Sequence, residues 1–337
     1  MTGLEILKIT PSATVQDRGR VGFLRFGVTG GGAMDAYGLA EGQVLLGNGP
    51  DDAAIEFAEF GGEFRAIAPV QVALSGAEMT AQLNGHPVAW RRTVALSAGD
   101  VLNIGAAKTG VYGYLHVGGG FQTDVVLGSR STHLRAGFGH VLAVGQKITA
   151  GSDRIVQERA LPAPNTFESR EIRAMWGPQS HYFSEETRAA FSAATLEVLP
   201  ARDRMGICLS SSAGKIKSAT GLSIASDAIN LGDIQVTGDG TPTALLADRG
   251  SSGGYPRIAT LITADLGPFA QLRTGSKIGL RMVKRSDAVQ ALDKFRRKIN
   301  GLPKLLMPLV RDPWRMDDLL SYNLVDGVLR GDEDDAN

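Results

Sequence analysis

A single cysteine, Cys208, stands among the 337 residues, so no intrachain disulfide framework can form, and a cysteine-based zinc site is disfavoured. A reducing cytoplasm is the compartment this usage suits. A dominant charge is equally lacking, since Lys+Arg and Asp+Glu both number 35. No overall field draws nucleic acid or an anionic membrane, and any partner must be recognised through local patches. No window holds the roughly 18 to 20 uninterrupted apolar residues of a membrane span, so a soluble protein is expected. Residues 1–20 alternate and then turn polar, as a strand entering a turn does, without the apolar core of a signal peptide. The histidines, His86, His116, His133, His140 and His181, never fall at the spacing of a helical metal pair, and no metal is expected. Gly30-Gly31-Gly32 lacks the Lys-Ser/Thr ending of a phosphate loop, and no run reads Gly-x-Ser-x-Gly or a dinucleotide fingerprint.

What the chain has is glycine, 43 residues of it, set mostly in pairs or triplets between short β-branched runs. That pattern predicts a mainly β protein with turns linking many strands. Strands are expected at 4–9, 54–59, 70–74, 79–83, 88–92, 101–104, 111–117, 171–175, 196–199, 233–236, 243–246, 258–263 and 278–283, with a hairpin at Asn84-Gly85-His86-Pro87. Helices serve as punctuation. Asp35 can cap residues 36–46, which Gly47 ends, and Ser184 can cap 185–193. Ser286 precedes a helix over 287–299, stopped by Gly301 and Pro303, and Asp312-Pro313 opens another running to about 322 before the acidic tail Asp332-Glu333-Asp334-Asp335. A proline-bearing linker at 158–169 divides a lobe at 1–160 from a lobe at 161–285, and 286–337 forms a helical extension. That extension folds back on its own lobe or packs on a partner or a second copy.

Three polar, glycine-flanked clusters carry the chemistry. The first holds Asp17, Arg18, Arg20, Asp35, Asn48 and Glu56. It reads either as a pocket rim, with guanidinium forks for a carboxylate or ureido oxygen and carboxylates for N–H groups, or as helix caps and an ion pair. The second, Gly128-Ser129-Arg130-Ser131-Thr132, can hold an anion on hydroxyls and backbone N–H groups, or close on itself as a turn. The third runs from Asp203-Arg204-Met205-Gly206 to Ala247-Asp248-Arg249-Gly250-Ser251-Ser252-Gly253-Gly254-Tyr255-Pro256 and ends at Ala270-Gln271-Leu272-Arg273. There Asp248 and Arg249 follow an apolar strand, at the strand end where a rigid sheet presents functional loops; an ordinary solvated turn is the other reading.

At these clusters the chain resembles the allophanate hydrolase subunit 2 family of biotin-dependent carboxyltransferase-like proteins, which includes the C-type subunit of 5-oxoprolinase, the KipI antagonist KipA and part of urea carboxylase. The matching pieces are Thr14-Val15-Gln16-Asp17-Arg18-Gly19-Arg20, Gly32-Ala33-Met34-Asp35, Gly47-Asn48, Gly128 to Thr132, Asp203 to Gly206 and Ala247 to Pro256, spread over 4–284. The resemblance implies two β-barrel-like lobes, the second cyclophilin-like. It implies a heteromeric complex with a partner like KipI or the B-type subunit of 5-oxoprolinase, and with an A-type lactam-utilisation partner in the oxoprolinase case. ATP is then used by the complex to open 5-oxoproline to glutamate. In urea carboxylase the corresponding region passes carboxyl from carboxybiotin to urea, and a KipA-like chain would instead regulate a KipI-like partner. Motif position and side-chain chemistry make Asp248, Asp35 and Arg249 the candidate catalytic residues. Asn48, Arg20, Arg204 and Gln271 are the candidate substrate-binding residues. The chain departs from many relatives at His140, Gln146, Cys208 and Gly250, which leaves the substrate open.

Overall fold

The computed structural model describes residues 2–152, 155–163, 171–218 and 221–309. The first lobe is built from two antiparallel sheets. One has six strands in the order Lys147–Thr149, Gly3–Ile9, Gly62–Ala66, Val101–Ala107, Met79–Leu83 and His86–Pro87. The other has five, in the order Thr14–Gln16, Ala54–Ala58, Tyr112–Val117, Val70–Gly76 and Thr93–Leu96. Leu4, Ile6, Phe64 and Leu102 of the first sheet pack against Val15, Ile55, Phe57, Val72 and Leu115 of the second in one core. Met79–Leu83 alternates buried and exposed residues, whereas Val70–Gly76 and Tyr112–Val117 are buried at every position. The difference follows from helix α1 (Ala36–Leu46), which covers the outer face of the five-stranded sheet.

Helix α1 begins where the Asp35 side chain accepts from the N–H groups of Tyr37 and Gly38 and ends at Gly47, whose φ of 68° places it in the left-handed region. Helix α2 (Glu185–Ala193) is capped by Ser184. The second lobe is a closed barrel whose neighbours run Glu171–Trp176, Arg257–Leu261, Asp233–Val236, Pro242–Leu245, Gly206–Ser211, Thr195–Arg202 and Lys277–Met282. Closure comes from a parallel pairing of Glu171–Trp176 with Lys277–Met282, which leaves no open sheet edge. The first lobe is not closed in this way: its sheets meet at a corner through single bridges of Phe60 to Ala58 and Ala106.

The two lobes share apolar contacts. Met34, Leu39, Tyr112 and Tyr114 of the first lie in the same buried cluster as Ile207, Leu246, Leu266 and Phe269 of the second. Helix α3 (Leu266–Ala270) sits at this junction, and Asp35 lies against its Gly267. The extension helix α4 (Arg285–Gly301) starts at Arg285, with Lys284 rather than Ser286 at its N-cap. It folds back on the protein: Ala291 packs near Ile262 and Ala264, and Leu302 beyond it joins Leu45, Leu46 and Leu161. The expected helix at 312–322, the acidic tail and much of the linker lie outside the described residues.

One expected strand is displaced. Residues 88–92 are irregular, pairing resumes at Thr93–Leu96, and Arg91 adopts a φ of 61° that breaks an extended run. Arg91 turns inward to pair with Glu41 of α1. Strands Thr14–Gln16, Gly62–Ala66, Lys147–Thr149 and Gly206–Ser211 were not foreseen in the pattern. No helix among the described residues is long and apolar enough to cross a membrane.

Candidate functional site in the interlobe cleft

A cleft of about 730 Å³ opens between the lobes. Thr14, Phe60, Tyr112 and Thr132 line it from the first lobe, and Arg202, Arg204, Met205 and Asp248 from the barrel. Arg204 occupies the tip of the turn between Thr195–Arg202 and Gly206–Ser211. Asp203 makes that turn tight by accepting from the N–H groups of Met205 at 2.7 Å and Gly206 at 3.1 Å. The Asp248 N–H donates to the Arg204 carbonyl at 2.9 Å, so backbone pairing sets the two residues side by side.

Their side chains meet as a fork. Arg204 Nε donates to Asp248 Oδ2 at 2.8 Å and Nη2 to Asp248 Oδ1 at 2.9 Å. Nη2 also reaches the Gly32 carbonyl at 2.8 Å, and Nη1 donates to Glu56 Oε1. Burial alone would lower the Arg204 pKa, but Glu56 and Asp248 raise it well above its ordinary value. The guanidinium is therefore a fixed cation whose three nitrogens are all engaged. It pairs with Asp248 and leaves little of itself for a developing negative charge.

From Glu56 the network runs deeper. Glu56 Oε2 accepts from the Met34 N–H at 2.7 Å and the Tyr114 hydroxyl at 2.9 Å, and that hydroxyl accepts from the Asp35 N–H at 2.8 Å. Burial pushes the Glu56 pKa up, while Arg204, the Met34 N–H and Tyr114 pull it down. Gln271 Nε2 donates to Asp35 Oδ2 at 2.9 Å, and Gln271 Oε1 accepts from the N–H groups of Val111 and Tyr112, both at 2.8 Å. One chain of polar contacts thus connects Asp248 to Asp35 through the interior.

The sequence-derived candidates separate into groups. Asp248 and Arg204 line the cleft. Asp35 and Gln271 are buried behind it as parts of the junction. Arg20 is also buried behind it, with Nε on the Val126 carbonyl at 3.1 Å and its guanidinium 4.6 Å from the Phe138 ring. Asn48 spends its side chain on the Val117 carbonyl and the Gly119 N–H, each at 2.8 Å, which fastens a loop away from the cleft. Arg249 turns toward the Ile229 carbonyl at 3.3 Å rather than toward Asp248. The second cluster does hold an anion, and it is the protein's own Asp17. Asp17 Oδ1 accepts from Ser129 Oγ at 2.6 Å and Ser131 Oγ at 2.5 Å, and Oδ2 accepts from the Arg130 N–H at 2.6 Å.

Tyr114 was missed as a member of the network, and Glu56 was seen only as a possible rim group. A charged residue inside the apolar run Ile55-Glu56-Phe57 was the available signal, because a buried carboxylate needs a partner. Among the described residues no group of three or more His, Cys, Asp or Glu side chains is placed to hold a metal.

Comparison with known proteins places these features in context. Residues 26–282 match the family model described as carboxyltransferase domain, subdomain A and B. The 5-oxoprolinase C subunit of Haemophilus influenzae is 35% identical over 301 residues, covering 88% of this chain and 94% of that relative. The solved structure of TTHA0988 is 30% identical with a TM-score of 0.75, covering 83% of this chain and 56% of the other. The K. lactis urea amidolyase structure is 25% identical with a TM-score of 0.82, covering 92% of this chain and 21% of the other. The chain thus spans about half or less of those two solved chains.

Proposed function

The chain belongs to the carboxyltransferase domain family of subdomains A and B, and from that membership we propose that it serves as the C-type subunit of an ATP-dependent 5-oxoprolinase. The observation that carries this reading is the match to a 5-oxoprolinase C subunit along 94% of that relative. The cleft's chemistry agrees with it. Cleaving a ring amide means adding water's oxygen to the carbonyl carbon, breaking the C–N bond and delivering a proton to nitrogen. Asp248, held in place by two hydrogen bonds from Arg204, is the cleft residue suited to accept the amide N–H and hold that nitrogen in place. Glu56 and Tyr114 support Arg204 and Asp35 from behind.

The cleft offers a nucleoside triphosphate no excess of positive charge. Its charged lining balances Arg135, Arg202 and Arg204 against Glu59, Asp203 and Asp248. Arg204 is committed to carboxylates, and Arg202 to the carbonyls of Ala270 and Leu272. No step on this chain is routed through ATP, and the reading assigns nucleotide binding to the B-type and A-type partners. Exposed Phe60 and Leu134 at the cleft rim offer apolar surface for such a partner.

The likeness to urea amidolyase over 92% of this chain favours a second reading, transfer of carboxyl from carboxybiotin to urea. A flat, neutral ureido group suits the same lining of threonines, Tyr112 and Asp248. The test is to purify the chain with its partners and assay both reactions. ATP-dependent glutamate release from 5-oxoproline supports the first reading, and urea-dependent consumption of carboxybiotin replaces it with the second. A tight complex that turns over neither substrate would overturn both.

A further inference from the structure

We propose that Arg135 selects a substrate that bears a carboxylate, as 5-oxoproline does and urea does not. The inference rests on the reading that this cleft takes the substrate, and it adds the residue that tells the two candidate substrates apart.

Among the described residues, three cations line the cleft: Arg135, Arg202 and Arg204. Arg204 is held by Asp248, Glu56 and the Gly32 carbonyl, and Arg202 by the carbonyls of Ala270 and Leu272. Arg135 is exposed. Among the described residues it makes no ion pair, with Glu59 or any other carboxylate, and its one side-chain hydrogen bond runs from Nη1 to the Met205 thioether at 3.1 Å. A thioether is a weak acceptor, whereas a guanidinium carries five N–H donors and can bind a carboxylate through two of them in parallel. Arg135 is thus the cleft cation with donors to spare.

The fold also sets where this guanidinium starts from. Arg135 is carried by the turn Leu134–Ala136, which Gly137 closes with a φ of 75°. The His133 N–H donates to the Phe138 carbonyl at 2.8 Å and the Phe138 N–H to the His133 carbonyl at 3.1 Å, so the loop is clamped at its base. Thr29 joins that base to the barrel: its hydroxyl donates to the Arg249 carbonyl at 3.1 Å and lies 2.8 Å from His133 Nε2. Met205, on which Arg135 rests, follows Arg204, which holds Asp248. Arg135 and Asp248 are therefore tied together from two directions, through Thr29 and through the Arg204 turn. A lactam with its carboxylate on the carbon beside the ring nitrogen carries an N–H and an anion next to each other. Asp248 accepts from the first, and Arg135 donates to the second. Urea offers only the first.

The complex reconstituted with its partners, as the parent, Arg135→Gln and Arg135→Lys, tests the assignment. Its readouts are steady-state kinetics on 5-oxoproline and inhibition by 2-pyrrolidinone, the same ring without the carboxylate. Because Arg135 is exposed, both variants should keep the parent's melt. Arg135→Gln should raise KM for 5-oxoproline about tenfold or more, the loss expected for a hydrogen bond between charged groups, with a smaller change in kcat. Inhibition by 2-pyrrolidinone, which has no anion to lose, should change far less. Arg135→Lys keeps the charge without the fork and should fall between parent and Arg135→Gln. An unchanged KM in Arg135→Gln, or an equal loss for both ligands, would overturn the assignment and leave the lactam reading in place. Turnover of urea instead of 5-oxoproline by the parent complex, or of neither, would overturn the assignment together with that reading.

Discussion

Glu41 of helix α1 and His116, whose ring lies against Gly42 of that helix, are buried titratable groups that act on stability in opposite directions. Burial pushes the Glu41 carboxyl up from an ordinary 4.5 to about 7, with Arg91, 2.5 Å away, opposing the shift. Burial lowers His116 from 6.5 to about 3. An acid whose folded pKa is raised binds more protons when folded, so its contribution falls as pH rises from about 4.5 to about 7. A histidine whose folded pKa is depressed binds fewer, so its contribution is complete above 6.5 and is lost as pH falls toward 3. The two slopes oppose each other where they overlap. Urea denaturation across this range should show Glu41→Gln gaining stability relative to the parent as pH rises, by on the order of 3 kcal/mol. His116→Gln should lose stability relative to the parent over the same rise, and parallel profiles for all three proteins would contradict this account.

Among the elements, helix α1 shows why some features can be read from sequence and others cannot. Asp35, Gly47 and Ser184 act on backbone groups within four residues of themselves, so their capping roles were legible. Strand Thr14–Gln16 is three residues long, and its polar side chains are buried because Gln16 bonds the Thr132 carbonyl far along the chain. Nothing local announces that contact. Arg91 likewise leaves its strand for Glu41, a partner fifty residues earlier. Gly42 in α1 looks like a weak point of the helix, yet an added Cβ would lie 2.1 Å from the His116 ring. Alanine would raise helix propensity by about 1 kcal/mol, and the overlap should cost about 1–3 kcal/mol. Gly42→Ala should therefore lower the melting temperature, and a raised one would show that the helix stands clear of the sheet.

At the scale of the whole molecule, the junction joins the lobes with polar groups as well as apolar ones. Gln271 satisfies two backbone N–H groups of the first lobe and the Asp35 carboxylate from the barrel side. Gln271→Leu would leave those groups buried and unpaired, at about 1–3 kcal/mol for each. Chemical denaturation should show a loss of about 3 kcal/mol or more, and a loss under about 1 kcal/mol would mean the apolar contacts alone hold the lobes. The residue types of the site were legible as acidic, amide and guanidinium clusters. Their division was not, because pairing across the lobes decides it: Arg204 reaches Glu56 and Gly32, whereas Asn48 and Arg249 find carbonyl partners elsewhere.

The account turns on Asp248 acting in the cleft from the position that Arg204 fixes. Asparagine at this position keeps an oxygen for Arg204, and Glu56 remains as a counter-charge, so the fold should lose only about 1–3 kcal/mol. The decisive measurement is turnover by the complex reconstituted with Asp248→Asn, alongside its thermal melt. A fall of about a hundredfold or more with a cooperative melt retained is the expected result; turnover within a few-fold of the parent in a folded complex would contradict it.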